Sequence, residues 1–293
     1  MRPRIAALVV VVLLLAGCAT RGNEDDSDQP GGVSDGVNDP VGLVNLWRVT
    51  GAEGEDADTW WRADADGYDL IRPCGVLSGG WRATADQFLA GDPYSWHEAC
   101  GETSSRPSVP WLVEAVAYQP DGDGWRLLAA DGSVLATLRV DGTPGPIPSA
   151  GDSYREPPEV SDEVRAALAP PAPLPAGLDP VTSDTLVGRW DARPEDLTSI
   201  NAGGTPSPNP YPYVEVLDDR TWTGTDGCNG SGGAWAVGDD GWLLITGGAS
   251  TLMACDGAPV PAWFSSAARA GLDGDELVLT DHDGATIATL VRG

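Results

Sequence analysis

Cys228-Asn229-Gly230-Ser231-Gly232-Gly233-Ala234-Trp235 restates, more than a hundred residues later, Cys74-Gly75-Val76-Leu77-Ser78-Gly79-Gly80-Trp81. In each, a cysteine precedes a tryptophan by seven residues. The intervening glycines read as a turn. Working outward, Leu43-Val44-Asn45-Leu46-Trp47 is matched by Leu186-Val187-Gly188-Arg189-Trp190, and Ala99-Cys100 by Ala254-Cys255. The cysteine spacings are 26 and 27 residues. Pro110-Trp111-Leu112 parallels Pro261-Ala262-Trp263-Phe264, and both stretches close on Asp-Gly followed by Ala-Thr-Leu. Landmarks in one order at matching distances make an internal repeat, with copies at residues 41–142 and 181–293.

The second copy gives the secondary structure. Residues 213–217 have strand composition, and Asp218-Asp219-Arg220 turns them into a hairpin partner at 221–224. Residues 242–245 read as another strand, and 261–272 as a helix opened by Pro261, with apolar residues at helical spacing. Residues 276–280 and 285–290 are strands joined through Asp283-Gly284. The expected fold is mainly β (α+β): two small antiparallel β-sheet domains, each with one helix before its last hairpin.

Ahead of the copies, Arg2 and Arg4 precede an apolar run at residues 5–15. A membrane-spanning helix needs about 20 apolar residues, so residues 1–17 read as a signal peptide. The run ends in Leu15-Ala16-Gly17-Cys18, which resembles a bacterial lipobox and marks Cys18 for lipid attachment. Two or more acyl chains anchor stably where one does not. Residues 18–40, rich in Gly, Asp, Asn and Ser, form a flexible tether with a reach of roughly 25 Å. The expected location is the cell membrane, facing outside the cytoplasm. Residues 143–180, Pro-rich between the copies, read as a semi-rigid linker; within it Ser161 caps a helix too short to stand without a neighbour.

The net charge is −27, with 44 acidic against 17 basic residues. That balance argues against a nucleic-acid partner, which needs a basic surface, and leaves membrane association to the lipid.

Asp226-Gly227-Cys228-Asn229-Gly230, then Ser250-Thr251-Leu252-Met253-Ala254-Cys255, then Trp263-Phe264 and a closing Asp-Gly hairpin resemble the META domain, also called HslJ-like. The resemblance covers residues 181–293. Residues 41–142 look like a diverged copy, with Cys74-Gly75 where the family has Cys-Asn and Glu98-Ala99-Cys100 where it has Met-Ala-Cys. The resemblance implies a compact β-rich envelope protein linked to stress responses, without established catalytic residues.

Few residues offer chemistry. Outside Cys18, four cysteines allow three pairings; near-equal spacing in an oxidising compartment favours Cys74–Cys100 and Cys228–Cys255 over a redox or metal site. His97 and His282, the only histidines, do not correspond between copies. Asp64-Ala65-Asp66-Gly67 and Asp121-Gly122-Asp123-Gly124 resemble calcium loops without completing one. Trp47, Trp81, Trp111, Trp190, Trp235 and Trp263 recur in both copies and read as core. Trp60, Trp61, Trp96, Trp125, Trp222 and Trp242 recur less clearly, and exposed members, Trp222 and Trp242 foremost, would form a ligand platform. No cofactor and no metal is expected. The resulting expectation is a non-catalytic protein that binds an envelope protein or a small apolar ligand. A cell-surface hydrolase or redox enzyme is the alternative.

Overall fold

The computed structural model describes residues 38–65, 67–96, 108–147, 151–197, 211–251 and 257–293. In the first half, β1 (Asn45–Thr50), β2 (Trp60–Ala63), β3 (Tyr68–Arg72) and β4 (Gly75–Gly79) form an antiparallel meander. β5 (Trp81–Ala83) and β6 (Phe88–Ala90) make a separate hairpin, and β7 (Ser95–Trp96) borders β4. After the one-turn helix α1 (Pro110–Val113) come β8 (Ala117–Asp121), β9 (Gly124–Leu128) and β10 (Val134–Arg139). β10 returns to β1, so the sheet runs β7-β4-β3-β2-β1-β10-β9-β8.

In the second half, helix α2 (Asp162–Leu168), strand β11 (Asp179–Pro180) and helix α3 (Ser183–Leu186) precede β12 (Gly188–Ala192). β13 (Tyr213–Val216), β14 (Thr221–Thr225), β15 (Gly230–Val237) and β16 (Leu243–Ile245) continue the meander. After helix α4 (Val260–Ser266), β17 (Arg269–Asp273), β18 (Glu276–Thr280) and β19 (Thr286–Arg292) bring the chain back to β12. The order is β11-β17-β18-β19-β12-β13-β14-β15-β16. Both sheets therefore follow one plan: a meander runs outward from the first strand, and three strands after a short helix close back on that strand. The protein is mostly β, with large antiparallel sheets and few helices.

Each sheet turns one face to its own core. Trp47, Trp61, Leu70, Trp81 and Phe88 fill the first, where Trp61 meets Trp81 edge-on at 5.9 Å and Phe88 at 6.1 Å. Trp190, Val214, Trp222, Trp235 and Phe264 fill the second, with Trp222 edge-on to Phe264 at 5.5 Å. Such aromatic pairs contribute about 0.5–1.5 kcal/mol beyond the area they bury. Of the recurring tryptophans, only Trp263 is less than fully buried.

Three expectations are corrected. The glycine-rich stretches are strands, not turns. Tyr68 on β3 lies opposite Gly79, and Trp222 on β14 lies opposite Gly233. A Cβ at Gly79 would fall 2.4 Å from the Tyr68 ring, and one at Gly233 would fall 2.9 Å from the Trp222 indole nitrogen. Glycine lets each aromatic pass over the strand to donate a hydrogen bond beyond it, Tyr68 Oη to the Gly91 carbonyl (2.9 Å) and Trp222 Nε1 to the Thr246 carbonyl (3.1 Å). The helix expected at 261–272 ends at Ser266, because Arg269–Asp273 is claimed as a strand by β18 across a turn at Gly274.

The Pro-rich residues between the two halves are docked rather than extended free. Ile147 and Tyr154 cover Leu46, Trp60 and Ile71 on the outer face of the first sheet. Ser161 caps α2 through Val164 N at 3.3 Å, and Leu168 enters the first core. Arg269, 8% exposed, then donates to the carbonyls of Pro171 (3.3 Å), Ala172 (2.9 Å) and Asp240 (2.9 Å). Proline-rich chain has carbonyls but few N–H groups, so a buried guanidinium is a fitting partner for it.

The halves also touch. Leu89 of β6 joins Ala234 and Leu244 in a shared apolar cluster, and Gln87 Nε2 donates to the Val237 carbonyl at 3.3 Å. Thr246 fills a notch at Gly80 and Gly91; a Cβ on Gly91 would lie 2.5 Å from its hydroxyl oxygen.

Candidate functional site

Where the halves meet, two clefts remain on either side of one turn. Asp218-Asp219-Arg220 reverses the chain between β13 and β14, with Arg220 in the left-handed region at φ 68°. Asp219 accepts from Thr221 N (3.0 Å) and from the Thr221 hydroxyl, which holds its carboxyl below the usual carboxylate range. On one side lies a cleft of about 430 Å³, walled by Leu89, Val113, Trp222 and Ala234 and edged by Gly232, Gly233 and Gly247. On the other lies a cleft of about 590 Å³, walled by Phe88, Val116, Trp235 and Val237. Arg220 lines both. Burial pushes its guanidinium pKa down.

The expected platform residues are not brought together. Trp222 is 2% exposed, a core side chain that gives the smaller of these clefts part of its wall. Trp242 is half-buried elsewhere, under Arg269 at 5.7 Å, in a third cleft of about 190 Å³ beside the docked linker. Trp60, Trp61 and Trp125 are buried; Trp96 is exposed. Sequence reasoning misses Arg220 as a site residue, because its Asp-Asp-Arg sequence signals only a turn.

Cys74 and Cys228 are half-buried. Cys18, Cys100, Cys255, His97 and Asp66 lie outside the described residues. His282 Nε2 sits 3.0 Å from the Ala169 carbonyl, a contact that helps dock the linker. Asp64 accepts from Gly67 N (2.9 Å) and from Arg62 (3.2 Å). Asp121 pairs with Arg126 at 2.7 Å and with Arg139, whose hydrogen bond is the main cause of its lowered pKa. In both calcium-like loops a leading carboxylate is thus held by arginine. Among the described residues no group of three His, Cys, Asp or Glu is placed to hold a metal ion, and no helix is long and apolar enough to cross a membrane.

The fold defines a mainly β protein of two similarly ordered antiparallel sheets, with clefts where they meet. Residues 192–292 match the sequence model of the META domain and form one. Compared with curated proteins and with solved structures, the chain matches none.

Proposed function

We propose that this chain is a non-catalytic, lipid-anchored cell-envelope protein, tethered through Cys18 outside the cytoplasm, and that the 430 Å³ cleft binds a small, largely apolar ligand. The observation that carries the reading is the cleft itself: Val113 and Ala249 offer apolar surface over the buried Leu89 and Trp222, and Gly247 leaves open space beside it. Concave, mostly apolar sites of this size with a few polar groups are the usual form of small-ligand sites. The META domain at 192–292 is consistent with an envelope role that needs no catalysis. We further infer that residues 41–142 are a diverged META-like copy, supported by the matching strand orders, and that the bridges are Cys74–Cys100 and Cys228–Cys255.

The test uses N-phenyl-1-naphthylamine, a neutral apolar fluorophore, with the chain and its Gly247→Trp variant. Gly247 lines the cleft and a Cβ there meets nothing within 4 Å, so an indole at this position is expected to obstruct the cleft without disturbing the core. Saturable binding that the variant weakens by roughly tenfold or more supports the site. Absent binding, or binding indifferent to the substitution, overturns it.

A further inference from the structure

Most buried or half-buried arginines in this protein have partners. Arg72, Arg126, Arg139 and Arg189 pair with carboxylates, and Arg269 is saturated by backbone carbonyls. Arg220 is different. It is half-buried, and among the described residues its guanidinium has neither a hydrogen-bond nor an ion-pair partner, although Asp218 and Asp219 are its chain neighbours and acids outnumber bases 44 to 17. A guanidinium carries five donors, and those of Arg220 lie at the open clefts it lines, within reach of water or of a ligand. The backbone is unusual as well, since φ 68° suits glycine or asparagine better than arginine. An unpaired charge on a strained residue, beside open space, is the arrangement of a site waiting for its counter-ion.

Resting on the binding reading above, we propose that the ligand of the cleft is an amphipathic monoanion: an apolar body against Val113 and Ala249, with one carboxylate-like group taken by Arg220. The fork of a guanidinium matches a carboxylate in two parallel hydrogen bonds. The rim sets the charge limit. Asp92, Glu114 and Asp219 line the same cleft, and Asp92 and Asp219 already accept from Ser108 (3.0 Å) and Thr221. Such a rim repels multiply charged ligands such as phosphates while leaving one negative charge to Arg220, a selection by exclusion.

The experiment compares two probes that differ only in charge. 1-Anilinonaphthalene-8-sulfonate is N-phenyl-1-naphthylamine bearing one sulfonate. Both are titrated into the full chain and into Gly247→Trp, Arg220→Asn and Arg220→Lys; asparagine tolerates the left-handed backbone, so Arg220→Asn retains the turn. We expect Gly247→Trp to weaken both probes. Arg220→Asn weakens the sulfonate probe by roughly tenfold or more and the neutral probe by less than about twofold, and Arg220→Lys falls between. If both probes respond to Gly247→Trp but the sulfonate probe is indifferent to Arg220→Asn, or both lose equally, the anion site is refuted while the cleft stands. If neither responds to Gly247→Trp, the cleft reading itself fails.

Discussion

The indole N–H of Trp47 and that of Trp190 each donate, at 2.8 Å, to the carbonyl four residues upstream, Leu43 and Leu186. Each tryptophan lies on the strand where its sheet closes, and each carbonyl ends the short helical turn that leads into it. One hydrogen bond thus fixes how the chain passes from helical turn to first strand in each half. Replacing either indole with Phe leaves a buried carbonyl without that donor, at a cost of about 1–3 kcal/mol. Urea unfolding of Trp47→Phe and Trp190→Phe should show comparable losses; a loss at one site only would mean that the two hydrogen bonds do not play the same part in their halves.

Among the described residues of the first half, Glu55 is the most heavily used carboxylate. Its side chain, 3% exposed, receives Arg72 at 2.6 and 2.9 Å, the Trp111 indole at 2.7 Å and the Thr59 hydroxyl at 3.1 Å. It ties the β1–β2 loop to β3 and to α1. Glu55→Ala strips three donors of their acceptor at once and should cost about 3–5 kcal/mol, read as a lowered urea midpoint. Glu55→Gln should cost less, because it keeps an acceptor oxygen. Equal costs would mean that the charge, not the hydrogen bonding, carries the contact.

Thr246 and Gly91 form a knob and a hole across the junction of the halves. Gly91→Ala places a Cβ where the Thr246 hydroxyl sits, an overpacking that should destabilise by about 1–3 kcal/mol. Thr246→Gly in the same chain should recover part of that loss even though it is itself destabilising, giving a coupling energy in a double-mutant cycle. Strict additivity would show that the halves do not lean on each other at this point.

Much of each sheet is legible in the sequence because strand signals are local. The β18 strand at Glu276–Thr280, the Asp-Gly turn that follows it and the Ser161 cap all follow from neighbouring residues. The helix reads too long because Ala267, Ala268 and Leu272 suit a helix face as well as a strand; the Asp273-Gly274 turn is the local signal that settles the matter. The clefts are not legible. They join Leu89 to Trp222 across two sheets, and nothing periodic in either segment encodes the other. Nor does a proline-rich sequence announce that its carbonyls will be gathered by Arg269. Arg220 is hidden for a further reason: what singles it out is the lack of a partner, which only the assembled structure reveals.

Acid should loosen the turn that opens β15. Asp226 accepts from Cys228 N at 2.8 Å and from Asn229 through both its backbone N–H and its side chain. Partial burial pushes its pKa up, but these hydrogen bonds outweigh that and leave it below the ordinary carboxylate value. The unfolded chain binds the proton more readily, so the stabilisation is present above about pH 4 and is lost as pH falls through the lower folded value. Asp226→Asn keeps the size of the side chain and removes the titration. The difference in urea midpoint between the native chain and Asp226→Asn should therefore be largest near neutrality and shrink toward about pH 2. A difference that stays constant across that range would mean that the carboxylate charge contributes nothing to the turn, and that any stabilisation comes from hydrogen bonds an amide oxygen makes equally well.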